Sequence, residues 1–135
     1  MTYKLYFDGG SRGNPGNAGY GFVLMKDEEI VKEGWGYISD SQTNNFAEYT
    51  GLLEGLKYCK SQGIKELVVY GDSNLILNQV FGTFKTNASN LIEINRKTKD
   101  YLKYFDKIDW KHVKRHLNKH ADMLANRAID TKTSS

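Results

Sequence analysis

Residues 64–80, IKELVVYGDSNLILNQV, hold a short apolar strand that runs straight into a short helix, with Asp72 at the junction. A strand entered from one helix and left through another is joined to its neighbours by crossovers, and crossovers make parallel pairs. Toward the N-terminus, residues 45–62 repeat apolar side chains every three or four positions (Phe46, Tyr49, Leu53, Leu56, Cys59), as an amphipathic helix does. Gly63 stands where a C-terminal cap belongs. Before that helix the period is two. Tyr3, Leu5 and Phe7 alternate in TYKLYF, and GYGFVLM (19–25) and EIVKEGWGYI (29–38) are strand patterns separated by a charged turn. Three strands joined by short loops form an antiparallel meander.

Toward the C-terminus, a longer helix capped by Ser89 or Asn90 is expected to reach about Phe105, with Leu91, Ile94, Tyr101, Leu102 and Phe105 inward. KIDWKHV (107–113) reads as a fifth strand, NKHADMLANRAID (118–130) as a last helix, and the tail TKTSS (131–135) as frayed. The order is β-β-β-α-β-α-α-β-α. It predicts an α/β fold whose five-stranded mixed sheet joins an antiparallel meander to parallel strands, with helices on both faces. One domain over residues 1–130 is expected, and a monomer is the default at this size.

The composition, 39% hydrophobic and 13% aromatic, suits a globular chain and argues against disorder. No apolar run approaches the roughly 18 residues of a membrane span. The start, MTYKLYFDGG, has no basic-then-apolar leader, and the single cysteine, Cys59, can form no internal disulfide, so a cytoplasmic location is expected. The net charge of +3 predicts no partner. Its distribution says more, because Arg96 to Lys119 carries nine basic residues against three acids. That stretch is either a solvated face or an edge that attracts phosphates.

Two carboxylates end strands: Asp8 after TYKLYF, and Asp72 after IKELVVYG. In open α/β sheets functional groups gather beyond the carboxyl ends of strands. If these two strands are neighbours, the paired charges call for a cation between them. Glu48 falls in the first turn of the first helix and Asp122 near the start of the last. Each also has a structural reading: Asn45-x-x-Glu48 has capping-box spacing, an acid in a first turn suits the helix dipole, and Asp72 could be an N-cap. Asp8 resists such a reading, since it continues a buried strand where an unpartnered charge is costly. The segment around it, YFDGGSRGNPG (6–16), is either a plain hairpin loop or bare backbone that a polyanion can approach.

Four blocks, DGGSRGNPGNAGYG, TNNFAEYTGLLEGL, GDSNLILNQV and NKHADMLANRA, resemble in order the motif blocks of type 1 ribonuclease H, over roughly Tyr3 to Ala128. The resemblance implies the ribonuclease H-like fold and a metal site of Asp8, Glu48, Asp72 and Asp122. It implies an endonuclease that cuts the RNA strand of RNA–DNA hybrids, leaving 5′-phosphate and 3′-hydroxyl ends. Two Mg²⁺ ions would serve it, with Mn²⁺ as a substitute, activating a water and stabilising the leaving oxygen. It further implies that Gly9, Gly10 and Asn14 lie against the minor groove, where amides meet 2′-hydroxyls. Asn44 and Asn45 would contact nucleotides, Thr43 with Asn14 would hold a phosphate of the DNA strand, and Gln79 would face the same groove.

The chain resembles the short form of the family, without the basic protrusion or a separate hybrid-binding domain, so salt-sensitive, modest affinity is expected. His116 falls where many members carry a His that aids product release, and Arg115 could take over an electrostatic role. Phe81 or Phe84 would supply an aromatic contact to DNA sugars, and Phe46 stands where some members are basic. Two other readings stay open: a non-catalytic nucleic-acid-binding module, which would gain nothing from four acids, and another nuclease or integrase on the same sheet.

Overall fold

The computed structural model describes residues 1–135. Five strands form one sheet in the order β3-β2-β1-β4-β5. β1 (Tyr3–Arg12), β2 (Gly16–Lys26) and β3 (Glu29–Gln42) are the expected antiparallel meander, and β4 (Glu66–Gly71) and β5 (Lys107–His112) add on parallel to β1. Four helices complete it: α1 (Asn44–Ser61), α2 (Asn74–Val80), α3 (Ser89–Leu102) and α4 (Lys119–Thr131).

The alternation of the strands sorts the helices between the two faces. Leu5 and Phe7 of β1 and Phe22 and Leu24 of β2 pack with Tyr49, Leu52 and Leu56 of α1, Leu77 of α2 and Leu91 of α3 in one buried cluster. Val23 points the other way and meets Ala121 and Leu124 of α4. Burying each such Leu or Phe side chain contributes about 1.5–3 kcal/mol, so the α1 face carries most of the core.

Several boundaries differ from the sequence expectation. β1 does not end at Asp8. Its ladder with β2 runs on to Arg12 opposite Asn17, while its ladder with β4 stops at Tyr6 opposite Tyr70. Asp8 therefore lies past the end of the parallel pairing yet inside the antiparallel one, and GGSR is strand. The turn proper is Gly13–Pro15, with Gly13 at φ +82°. α3 starts after Ala88 with no side-chain cap, so neither Ser89 nor Asn90 caps it. Thr98, which the apolar pattern passed over, is wholly buried there with its hydroxyl donating to the Ile94 carbonyl at 2.7 Å. The tail is not loose either. Tyr37 N donates to Thr133 O at 3.1 Å and Ser135 N to Trp35 O at 2.8 Å, so residues 133–135 lie along the outer edge of β3 and cover it.

Candidate active site

α1 begins with Thr43 as its cap, the hydroxyl accepting from Phe46 N at 3.2 Å. This corrects the capping-box reading: Glu48 is in the second turn and does not reach back to its own helix end. It points at β1, where Gly9 N donates to Glu48 Oε1 at 3.2 Å. The approach is possible only because residue 9 has no side chain. A Cβ there would stand 2.2 Å from the Ala47 carbonyl carbon. A Cβ on Gly10, by contrast, would meet nothing within 4 Å. One glycine of the pair thus seats the helix, and the other leaves bare strand open to the outside.

Asp8 and Glu48 are buried, and Asp72 beside them is half-buried. One carboxylate oxygen from each of the three lies within 4.8 Å of the others. Burial is the largest cause pushing the Asp8 carboxyl up to about 7, with Asp72 adding to it; the hydrogen bond from Glu48 opposes the rise. Burial likewise raises Glu48 well above the usual carboxylate range, and the neighbouring Asp8 adds to the rise. Without a cation the buried pair keeps a proton. Outside its pairing with Asp8, Glu48 Oε2 is buried and has no hydrogen-bond partner. Asp122, from the first turn of α4, is exposed and stands outside the tight trio but lines the same open cleft of about 400 Å³.

Asp72 follows β4, and Ser73, not Asp72, caps α2. Two groups fix Asp72. His112 Nε2 lies 3.1 Å from its carbonyl oxygen, and Asn118 Nδ2 donates to its Oδ2 at 3.1 Å. The same Asn118 amide donates to Phe7 O at 2.8 Å and is 2% exposed. Asn118 thereby ties the start of α4 to β1 and β4 at once. Sequence reasoning took it only as part of a block; its spacing, four residues before Asp122, gave no signal of burial.

Asn14, Thr43 and Asn44 meet at the rim. Asn14 Oδ1 accepts from Asn44 N at 3.1 Å, and Asn44 Oδ1 accepts from Ser11 N at 2.7 Å, which pins the β1–β2 turn to the start of α1. Thr43 Oγ1 also accepts from Asn90 Nδ2 at 3.2 Å. Asn44 and Asn45 line the cleft with Gly9 and Gly10. Gln79 does not line it. It is 6% exposed, its Oε1 accepting from Tyr49 OH at 2.6 Å and its Nε2 donating to Lys85 O at 3.4 Å, with Asn95 joining them. His116, exposed on a short 3₁₀ turn (Arg115–Leu117), does not line the cleft, whereas Arg115 does. The basic stretch from Arg96 to Lys119 is spread over α3, β5 and this turn, with Arg96 paired to Glu93 and Asp100. Phe81 stacks on Trp110, leaving Phe84 as the exposed aromatic.

The sequence pattern of the family described as reverse transcriptase-like matches residues 6–128. Ribonuclease HI of Halobacterium salinarum is 42% identical over 128 residues, which cover 93% of this chain and 63% of that protein. Ribonuclease H of Pseudomonas entomophila is 34% identical, with 96% and 94% covered. The chain belongs to the type 1 ribonuclease H family. Among solved structures, ribonuclease H1 of Halobacterium salinarum superposes with a TM-score of 0.91 at 39% identity, covering 97% of this chain and 99% of that one. A ribonuclease H1 isolated from compost, crystallised in complex with an RNA/DNA hybrid, gives 0.89 at 34% identity, covering 96% and 98%. A bifunctional protein of Mycobacterium tuberculosis is 38% identical over the whole of this chain, which spans 37% of its length. The chain thus spans less than two thirds of the length of the Halobacterium and Mycobacterium relatives.

Proposed function

We propose that this chain is a metal-dependent endonuclease that hydrolyses the RNA strand of RNA–DNA hybrids and leaves 5′-phosphate and 3′-hydroxyl ends. The observation that carries the reading is the convergence of Asp8, Glu48 and Asp72 beside the open Gly10 backbone, with a buried Glu48 oxygen that has no hydrogen-bond partner outside its pairing with Asp8. An unsatisfied carboxylate oxygen in the interior is costly, and a bound cation removes the cost. The donor set is all hard oxygen, which suits Mg²⁺, and Mn²⁺ can use the same ligands.

Asp8, Glu48 and Asp72 would hold two Mg²⁺ ions, with Asp122 reaching in from α4. Bound there, the ions supply the Lewis acidity and water activation of phosphodiester hydrolysis. The remaining work falls to the chain itself. Asn118 and the Gly9 amide orient Asp72 and Glu48, so the ligands need little reorganisation. Gly10 lets the minor groove close on the strand, where 2′-hydroxyls distinguish RNA from DNA. Asn14, Thr43, Asn44 and Asn45 form the rim that would hold nucleotides and a DNA-strand phosphate, beside the positive end of α1. Arg115 offers a cation in a cleft that also holds the four carboxylates. The compost enzyme, 34% identical over nearly the whole chain, was crystallised with such a hybrid, which supports this choice of substrate. The chain is expected to act as a monomer in the cytoplasm; no helix in it is long and apolar enough to cross a membrane.

The direct test is one end-labelled duplex in four forms: RNA–DNA, DNA–DNA, RNA–RNA and DNA with a single ribonucleotide, each with Mg²⁺ and with EDTA. Mg²⁺-dependent cutting of the hybrid, with DNA–DNA left whole, is the expected outcome. Hybrid binding without cutting of any duplex would favour a binding module and overturn the hydrolase reading.

A further inference from the structure

Arg12 ends β1 four residues beyond Asp8, on the same side of the strand as Asp8 and Gly10, about 13 Å along it. It faces α4, whose residues Asp122, Asn126 and Asp130 recur every fourth position and so share one stripe of the helix. The Arg12 guanidinium is held by two members of that stripe. Nη1 pairs with Asp130 Oδ1, and Nη2 donates to Asn126 Oδ1 at 3.3 Å. Arg12 and Asn126 line the cleft that contains the carboxylates; Asp130 stands outside it. Arg12 is one of two arginines in that cleft.

We propose that Arg12 and Asn126 form an accessory subsite for a backbone phosphate of the hybrid, and that Asp130 competes with the phosphate for Arg12. This rests on the hybrid reading above. The guanidinium fork fits carboxylate and phosphate in the same bidentate geometry, so one can replace the other. The pair is half-exposed, at 49% and 59%, and pairs this open are weak. A phosphate on a polyanion brings counterion release that a lone carboxylate does not. Asn126, whose Nδ2 donates to Asp122 O at 3.0 Å, keeps its side chain fixed on the stripe while the arginine changes partner. The subsite would grip the duplex away from the cut, in a chain with no basic protrusion to do so.

Binding is measured by fluorescence anisotropy in the Asp8→Asn background with Mg²⁺, over about 50 to 200 mM salt. Arg12→Ala should weaken hybrid binding about threefold and lower the salt slope by about 1. Asp130→Asn should tighten binding about threefold by freeing the arginine. In the Arg12→Ala background Asp130→Asn should do nothing. Equal tightening with and without Arg12 would mean that Asp130 acts only through net charge, and it overturns the proposal, as does an Arg12→Ala variant with unchanged affinity and slope. Neutral methylphosphonate linkages, placed in the RNA or in the DNA strand, identify which backbone is held: the Arg12 effect should vanish with one of them. If it survives both, no phosphate sits there. Failure of the wild-type chain to cut the hybrid, with binding intact, removes the hydrolase reading and leaves the subsite testable by the same titrations. Absence of hybrid binding removes both.

Discussion

The four carboxylates of the cleft fall into two unlike pairs. Asp8 and Glu48 lie in the interior, 5% and 7% exposed, at the crossing of β1 and α1. Asp72 is half-buried and Asp122 stands in solvent, both at chain segments that have just left or just entered an element. Burial makes the inner pair electrostatically unfavourable in the folded chain, and Asp72 adds to that. A fold selected only for stability would not keep two acids with a raised affinity for protons under its first helix. The difference separates carboxylates that the fold forces together in its interior from carboxylates that stand at its surface.

The largest expected effect comes from neutralising one of each pair. Asp8→Asn should abolish hybrid cleavage yet leave hybrid binding largely intact, because it removes a ligand and a repulsive charge together. It should also stabilise the metal-free protein at pH 8, by about 2 kcal/mol, since an uncharged amide is easier to bury. Asp122→Asn should impair cleavage as well, but alter stability by no more than about 0.5 kcal/mol, as exposed substitutions do. Rates and urea midpoints measured for the two variants side by side check both halves. Full activity in Asp8→Asn would break the assignment of the pair as metal ligands.

A smaller effect is expected one step behind the ligands. Asn118→Ala frees Asp72 Oδ2 and cuts the tie from α4 to Phe7 O. Lost partners of metal-binding carboxylates typically cost about 10–100-fold in metal affinity. The Mg²⁺ concentration for half-maximal cleavage should rise by that factor, with Mg²⁺ binding by calorimetry weakened in parallel and the rate largely recovered at saturating Mg²⁺. A lowered melting temperature with an unshifted Mg²⁺ titration would make Asn118 a brace for α4 and nothing more.

The sequence made the sheet legible because the period of its apolar residues changes from two to nearly four at residue 45, and because each crossover has a helix in it. It was least legible where glycines and asparagines gather. DGGSRGNPG looks like a loop, since turn residues and strand residues without side chains give the same letters; only the ladder opposite Asn17 to Gly21 makes it strand. TNN offers three possible caps, of which the structure uses Thr43, whose hydroxyl accepts from Phe46 N. Gln79 and Asn118 are both polar letters on helix-forming blocks, yet each is buried against hydrogen-bond partners distant in sequence. The tail pairs through its backbone, which TKTSS does not display. Asp8 and Asp72 stood out as candidates, because charge at the end of an apolar run has few structural uses, whereas Glu48 and Asp122 were suggested by the family resemblance alone.

The smallest effect expected is also the one that tests the pairing without any substrate. The carboxyl of Asp8 is raised from about 3.8 to about 7 in the fold, and that of Glu48 is raised as well. Between roughly pH 4 and 7 the folded, metal-free chain therefore holds protons that the unfolded chain has lost. More protons bound in the native state means that stability falls as pH rises through this window, and above about pH 7 the loss is complete. In EDTA the melting temperature should drop by about 5 °C between pH 5 and pH 8 from this source. Saturating Mg²⁺ should remove the drop, because the ion binds only the folded chain and binds its ionised carboxylates. The informative quantity is the difference between wild type and Asp8→Asn at each pH, since contributions common to both cancel in it. That difference should be near zero at pH 5 and grow toward pH 8. A flat difference in EDTA would mean that Asp8 ionises in the fold as freely as in water, and the contrast between the inner and outer carboxylates would collapse.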